Sequence, residues 1–404
     1  MTIANMTRWC ACFFVCGVSA AAGAQTLPSE PLIFRDGLAT LGGAVSASFG
    51  ADDPGFFNYT DYERSALRLF RVDLSGSVRV GGHVTVIGEL RSENLGRPEA
   101  YALYARIRPW RSRAFDVQVG RVPPTFGVFA RRIYAGDNPL IGYPLAYQYL
   151  TSLRPDAVPA TPDELLRMRA RGWRSSFSIG NLSPDRGVPL ASAFRWDTGV
   201  QVHAASHVVD ATVSATLGTL SNPLVIDDNG GRQFAGRVAF HPIAGLLVGV
   251  SGARGPFWTT TAARAAAGAG YTNTFKQTAW GGDVEYSRDY YLIRMETVVS
   301  RWVVPAVGAA FSSPLRAAAT SVEGRYKFRP GLYGAARVDH LGFSTVTGTA
   351  GPQTWDAPVT RLEIAAGYSL QRNLLLKLCY QWNRRDNPRL PTANLVATEI
   401  SFWF

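Results

Sequence analysis

The chain has 404 residues, 47% of them hydrophobic and 18% charged, with a formal net charge of +11. That balance excludes a disordered chain, and a mean hydropathy near zero excludes a bundle of membrane helices. Only Lys276, Lys327 and Lys377 are lysines among 41 basic residues, so the charge is carried by arginine. Arginine's planar fork suits carboxylate and phosphate, although genomic base composition gives the same bias.

Residues 1–24 read as a cleaved signal peptide. Arg8 precedes the apolar stretch WCACFFVCGVSAAAGA, which ends in small residues before Gln25. Three of the four cysteines leave with it, so only Cys379 remains and no internal disulfide is expected. After residue 25 no run of about 18 apolar residues occurs, so no membrane helix is expected. Export without helices leaves the periplasm, secretion or an outer-membrane barrel.

Residues 25–404 form a single domain with a period of two. Val72, Leu74, Val78 and Val80 alternate with Arg71, Asp73, Ser77 and Arg79; Val209, Val213 and Leu217 alternate with Asp210, Ser214 and Thr216. The same pattern recurs over about sixteen segments: 40–49, 66–80, 83–92, 99–109, 113–122, 190–204, 207–219, 232–241, 245–254, 276–287, 290–302, 315–328, 331–342, 358–369, 373–383 and 394–404. A soluble sandwich also alternates. Here the apolar rows reach membrane-crossing length, and aromatics gather near strand ends (Trp110, Tyr286, Tyr290, Tyr291, Trp302, Tyr380, Trp382). The links alternate between tight turns such as VGGH, SRD and RPG and longer loops such as GFSTVTGTAGPQTWDAP. The fold class is therefore all-β, a transmembrane antiparallel up-and-down barrel with both termini on the short-turn rim.

The link at 123–189 breaks this rhythm and is by parity the third outside loop. It is rich in Tyr and Leu, and Thr161-Pro162 with Glu164 predicts a capped helix from 162 to about 170. Segment 172–180 reads as an extra hairpin arm. The loop carries Arg131, Arg132, Arg154, Arg167, Arg169 and Arg171 with Asp137 as a counter-charge. If the loop folds into a lumen, these are the candidates for a filter, since rings of arginine favour anions. A loop folded outside, its arginines facing water or lipopolysaccharide, fits the same residues. Predicted lumen-wall positions include Arg71, Asp73, Arg79, Arg195, Asp197, Arg294 and Glu296, which can pair across strands.

The chain ends in NLVATEISFWF, with Val396, Thr398, Ile400, Phe402 and Phe404 facing outward. Together with VGRVPPTFG at 119–127, this ending resembles the bacterial outer-membrane porins, and the likeness extends over the mature chain. The resemblance implies an inward-folded third loop, passive passage of small polar solutes, and a homotrimer. It also implies recognition of Phe404, Phe402 and Ile400 as an assembly signal by the barrel assembly machinery, and contact with outer-membrane lipid and lipopolysaccharide. No cofactor, metal site or nucleic-acid partner is expected, because no nucleotide-, thiol- or metal-binding motif occurs. The chain reads as a channel and not an enzyme. A non-conducting scaffold or adhesin with a plug loop is the alternative. An outer-membrane hydrolase would require a Ser or Asp within reach of a His.

Overall fold

The structure, a computed structural model, describes residues 30–61, 64–110, 112–268, 275–305, 311, 313–387 and 392–404. The signal-peptide segment lies outside them. Sixteen long strands form the wall: β1 Ala39–Gly50, β2 Phe70–Val80, β3 Val84–Glu93, β4 Glu99–Ile107, β5 Ala114–Val122, β6 Asp197–Ala205, β7 Val209–Thr216 and β8 Gln233–Ile243. The second half comprises β9 Leu246–Pro256, β10 Lys276–Arg288, β11 Tyr291–Trp302, β12 Leu315–Arg329, β13 Leu332–Phe343, β14 Val359–Gln371, β15 Leu374–Arg385 and β16 Thr392–Trp403. Each pairs antiparallel with the next, and β16 returns to β1 with Ser48 opposite Glu399. The sheet is thus a closed barrel, and its wall strands have no free edge.

The faces are inverted relative to a soluble protein. Along β16, Val396 and Ile400 are 50% and 42% exposed, whereas Glu399 and Ser401 on the other face are 6% and 2% exposed. Phe49, Leu103, Val213, Phe234, Val250 and Trp280 extend the exposed apolar belt. Each such side chain would forgo roughly 1.5–3 kcal/mol if it faced water. A belt of this extent is stable only when lipid is the solvent. Tyr291, Tyr326 and Phe328 pack ring to ring at the turn end of β11 and β12, with centroids 4.8 and 5.1 Å apart. These rings form part of an interfacial girdle.

Two expectations need correction. The sixth strand begins at Asp197, not at 190, because Leu190, Ala191 and Ala193 are buried in the core of the preceding loop. The third outside loop therefore extends to 196. Trp302 is fully buried and not interfacial: it lies in the lumen row of β11 with Glu296 and Ser300, against Phe257 and Trp355.

A short arm, Leu32–Phe34, pairs with Ala39–Leu41 on the edge of β1 that carries β16 further along. Between them Gly43 and Phe404 exchange backbone hydrogen bonds of 3.1 and 2.9 Å. A Cβ on Gly43 would lie 2.8 Å from the Phe404 ring, so a side chain here would displace the terminal ring from its seat.

Candidate channel and the loop that crosses it

The third loop enters the barrel immediately after β5. Gly127 N–H donates to Ser251 Oγ (3.1 Å), and its carbonyl accepts from Arg237 Nε (3.2 Å). Val128 N–H and the Tyr147 hydroxyl both donate to Glu296 Oε1, at 2.9 and 2.6 Å. On the opposite wall, Arg71 donates to Ile133 O (3.3 Å) and Tyr134 donates to Glu89 Oε2 (2.6 Å). Lys377 Nζ donates to the carbonyls of Ala135, Asn138 and Leu140. The turn reaches down to the Trp403 ring, 3.4 Å from where a Cβ on Gly136 would sit.

The chain then climbs along β14. Ile141 and Gly142 N–H groups donate to Glu363 Oε1 (3.3 and 2.8 Å), and Arg361 donates to Tyr143 O and Gln148 Oε1. Leu140 and Ile141 fill apolar notches in the inner wall made by Leu375, Ala335, Cys379 and Leu395. Residues 123–150 thus lie in the lumen, whereas 151–196 fold as a cap over the outer mouth. The cap shares a core with Trp258, Trp355 and the helix Thr260–Ala267. A helix does form at Pro162–Arg167, with Thr161 Oγ1 accepting from Glu164 N–H. Glu164 accepts from Ala160 and Ser178 N–H groups. Of the expected hairpin arm 172–180 only Ile179–Gly180 is strand, and it pairs antiparallel with Ala157–Val158 across the intervening helix as a two-residue ladder.

The filter candidates are not brought together. Arg132 reaches the wall and pairs with Glu285, and Asp137 is exposed at the deepest turn. Arg154 is fully buried inside the cap, held bidentately by Asp156 (2.9 and 2.7 Å) and by the carbonyls of Ser175 and Ser183. Its charge is consumed in folding the loop. Arg167 is 67% exposed on the outer surface, and Arg169 ties the cap to Asp386 and Thr354. Arg171 follows in the turn after the helix, half-buried. The Arg131 side chain lies outside the described residues.

The wall positions form ion pairs across strands. Arg71 pairs with Glu93 (2.8 Å) and Asp73 with Arg91 (2.6 Å). Arg294 bridges Glu285 (3.0 Å) and Glu323 (3.1 Å); Arg337 continues the ladder to Glu323, Asp339 and Glu363. Glu296 anchors the loop rather than pairing with a cation. Asp197 accepts from the N–H groups of Gly218 and Leu224, and Arg79 is exposed at the short-turn mouth. Arg195 is a correction: it stands in the loop, not in a strand, and is exposed beside the outer cavity. Ile400, Phe402 and Phe404 keep the outward row of the last strand.

Two cavities flank the crossing loop. The outer one, about 220 Å³, is bordered by Arg64, Arg97, Arg121, Arg186, Glu99 and Tyr101. The inner one, about 320 Å³, lies between β1, β2, β16 and the turn at Tyr134–Asp137. The role of Arg361, Glu363 and Lys377 as loop anchors was not read from the sequence. A signal for it exists: the lumen rows of β12 to β16 carry Ala317, Ala319, Leu375, Cys379 and Leu395 where a water-filled wall would be polar. His203 lies between Asp116 (3.5 Å) and Asp210 (2.9 Å). The Asp within reach of a His that a hydrolase would require is therefore present, and among the described residues no hydroxyl is hydrogen-bonded to either His203 nitrogen.

No family model matches the chain, and no curated protein matches it. Solved structures do. Salmonella typhi OmpF, in a complex with daunomycin, superposes with a TM-score of 0.55 at 12% identity, covering 91% of this chain and 97% of that one. An anion-selective porin from Comamonas acidovorans gives 0.55 at 8% identity, with 91% and 99% covered. The trimer form of Vibrio cholerae OmpT, an outer membrane protein, gives 0.54 at 11%, with 91% and 99% covered. At such identities the likeness concerns the backbone, and it says that the chain has the fold of the bacterial outer-membrane porins: a closed antiparallel barrel of sixteen strands.

Proposed function

We propose that the protein is an outer-membrane channel for passive diffusion of small hydrophilic solutes, with a preference for anions. The observation that carries this reading is the outer cavity, where Arg64, Arg91, Arg97, Arg121, Arg186 and Arg195 face Glu93, Glu99, Asp156 and Asp185. Six cations against four carboxylates give a basic entrance that concentrates anions in a low-dielectric mouth. Arg132 and Asp137, the filter candidates that reach the lumen, act at the inner side. Reversal potentials in a potassium chloride gradient across planar bilayers test this. A sign reporting anion preference is expected; cation preference would remove the anionic reading, and absence of conductance would remove the channel.

A second reading is a non-conducting barrel serving as scaffold or adhesin. It is favoured by the hydrogen bonds that tie the loop backbone to wall strands on opposite sides of the lumen. Deleting 128–170 separates the two: unchanged conductance would mean that the loop is not the constriction. The fold neighbour in trimer form supports a homotrimer, checked by crosslinking in detergent. The outward terminal row supports recognition by the barrel assembly machinery. Normal insertion of a chain lacking Phe404 would remove that role.

A further inference from the structure

The inner cavity, about 320 Å³, has a construction that the passage of ions does not require. It lies on the lumen face of β16, β1, β2 and β3, beneath the loop turn Tyr134–Asp137. In one cross-strand row Trp403 stands opposite Ala44, and Ala44 stands opposite Asp73. Two interstrand spacings, about 10 Å, therefore separate the indole-bearing strand from the carboxylate-bearing one, with a single methyl group between them. In the next row toward the short turns Gly42 lies opposite Ser75 and adds no side chain at all. The floor is thus a slot with an aromatic wall on one side and hydrogen-bonding groups on the other.

Trp403 departs from the polar lumen row of its strand, where Glu399 and Ser401 precede it. Gly136 packs on the ring, with a Cβ there 3.4 Å from it, and the half-buried indole also borders the cavity. Asp73 gives Oδ1 to Arg91 (2.6 Å), and no described residue donates to its Oδ2. Among the described residues the Asp137 carboxylate and the Ser46 and Ser75 hydroxyls likewise meet no hydrogen-bond partner. A carboxylate only accepts, so the slot suits a ligand that presents donors. Arg91 already neutralises Asp73 and Glu89 at 2.6 and 3.1 Å, which weakens the pull on a cation, and Asp137 disfavours an anion. We infer that the slot binds an uncharged polyhydroxylated ring, a monosaccharide or cyclic polyol. Its C–H face rests on Trp403, and its hydroxyls donate to Asp73 Oδ2 and Asp137 while Ser46 and Ser75 exchange hydrogen bonds with the rest. This deepens the channel reading by naming a solute class for the inner side of the loop.

The inference rests on the channel reading for the solute's route and is tested so that the two fail separately. Full-length protein in detergent is titrated with glucose by calorimetry, with heat-modifiable gel mobility confirming the folded barrel. Saturable binding is expected. Ala44→Leu, which fills the slot and leaves every polar group in place, is expected to weaken it at least tenfold, as is Trp403→Ala. Trp403→Phe, which keeps a ring, is expected to bind more tightly than Trp403→Ala. Neither choline nor malonate is expected to compete. A wild type that does not bind glucose overturns the slot, as does a folded Ala44→Leu barrel with wild-type affinity. Displacement of glucose by choline or malonate overturns it too, since the site would then read charge. In planar bilayers glucose is expected to lower the wild-type ion current and to leave that of Ala44→Leu unchanged. A conducting wild type that binds no glucose overturns the slot and leaves the channel. Glucose binding that Ala44→Leu abolishes, in a barrel silent in bilayers, supports the slot and overturns the channel.

Discussion

Replacing Asp356 by alanine should release the cap from the outer rim. Asp356 is fully buried in the loop before β14 and accepts from Ser152 N–H (2.7 Å), Ser152 Oγ (3.0 Å), Ala170 N–H (2.8 Å) and Ala357 N–H (2.7 Å). The Ala357 bond is local, and the single Ser152 hydroxyl proton has Met168 O as an alternative acceptor at 2.8 Å, so neither is counted. Two backbone donors of the cap remain without an acceptor. At about 1–3 kcal/mol for each orphaned buried donor, the closed cap loses about 2–6 kcal/mol. That corresponds to roughly 30-fold to 10⁴-fold in the opening equilibrium. Amide hydrogen exchange at Ser152 and Ala170 reads this ratio directly, since local opening limits their exchange. Protection should fall by that factor while the wall amides of β14 and β15 stay protected. Asp356→Asn, which keeps one acceptor oxygen, should lose less. Unchanged protection at Ser152 and Ala170 in a folded Asp356→Ala barrel would refute the lock.

Gly142→Val should lift the loop from β14, because its Cβ would sit 2.3 Å from Gln381 Nε2 and 2.6 Å from Glu363 Oε2, and Arg337 holds Glu363 in place; larger or noisier single-channel currents check this. Arg154→Ala should cost about 3 kcal/mol, the low end for a broken buried pair because Asp156 is 34% exposed. Tryptic cleavage in the cap should accelerate while the reversal potential stays where it is. Gly43→Leu should clash with the Phe404 ring and reduce the heat-modifiable, folded form on gels.

The strands were legible because lipid imposes a two-residue period on every one of them, and the tight turns mark their ends. Where the reading strayed, the same alternation served another environment. Residues 190–195 continue the pattern, yet Leu190, Ala191 and Ala193 bury in the cap, and Trp302 has the parity of the lumen row although its residue type suits an interface. The loop's length and its capped helix were also legible. The orientation of its arginines was not, since a count of charges cannot tell Arg154, surrounded by carbonyls, from Arg132 on the wall. The anchors escaped for a related reason: Gly142 meets Glu363 across 221 residues, and Ala135 meets Lys377 across 242. Such pairings leave no periodic trace.

The junction of β1 with β16 has a consequence for the order of assembly. Every other pair of neighbouring wall strands is consecutive in the chain, so hairpins can form as local units except at β5 and β6, which the long third loop separates. The junction joins Ser48 to Glu399, 351 residues apart, and needs both ends of the polypeptide at once. Until Phe404 meets Gly43, the growing sheet carries two open edges of unpaired amides, which neither lipid nor another copy of the chain can meet safely. Closure is therefore the last event and the one with the largest loop entropy. A chain lacking β1 or β16 would be left as an open sheet, prone to joining its neighbours instead of itself.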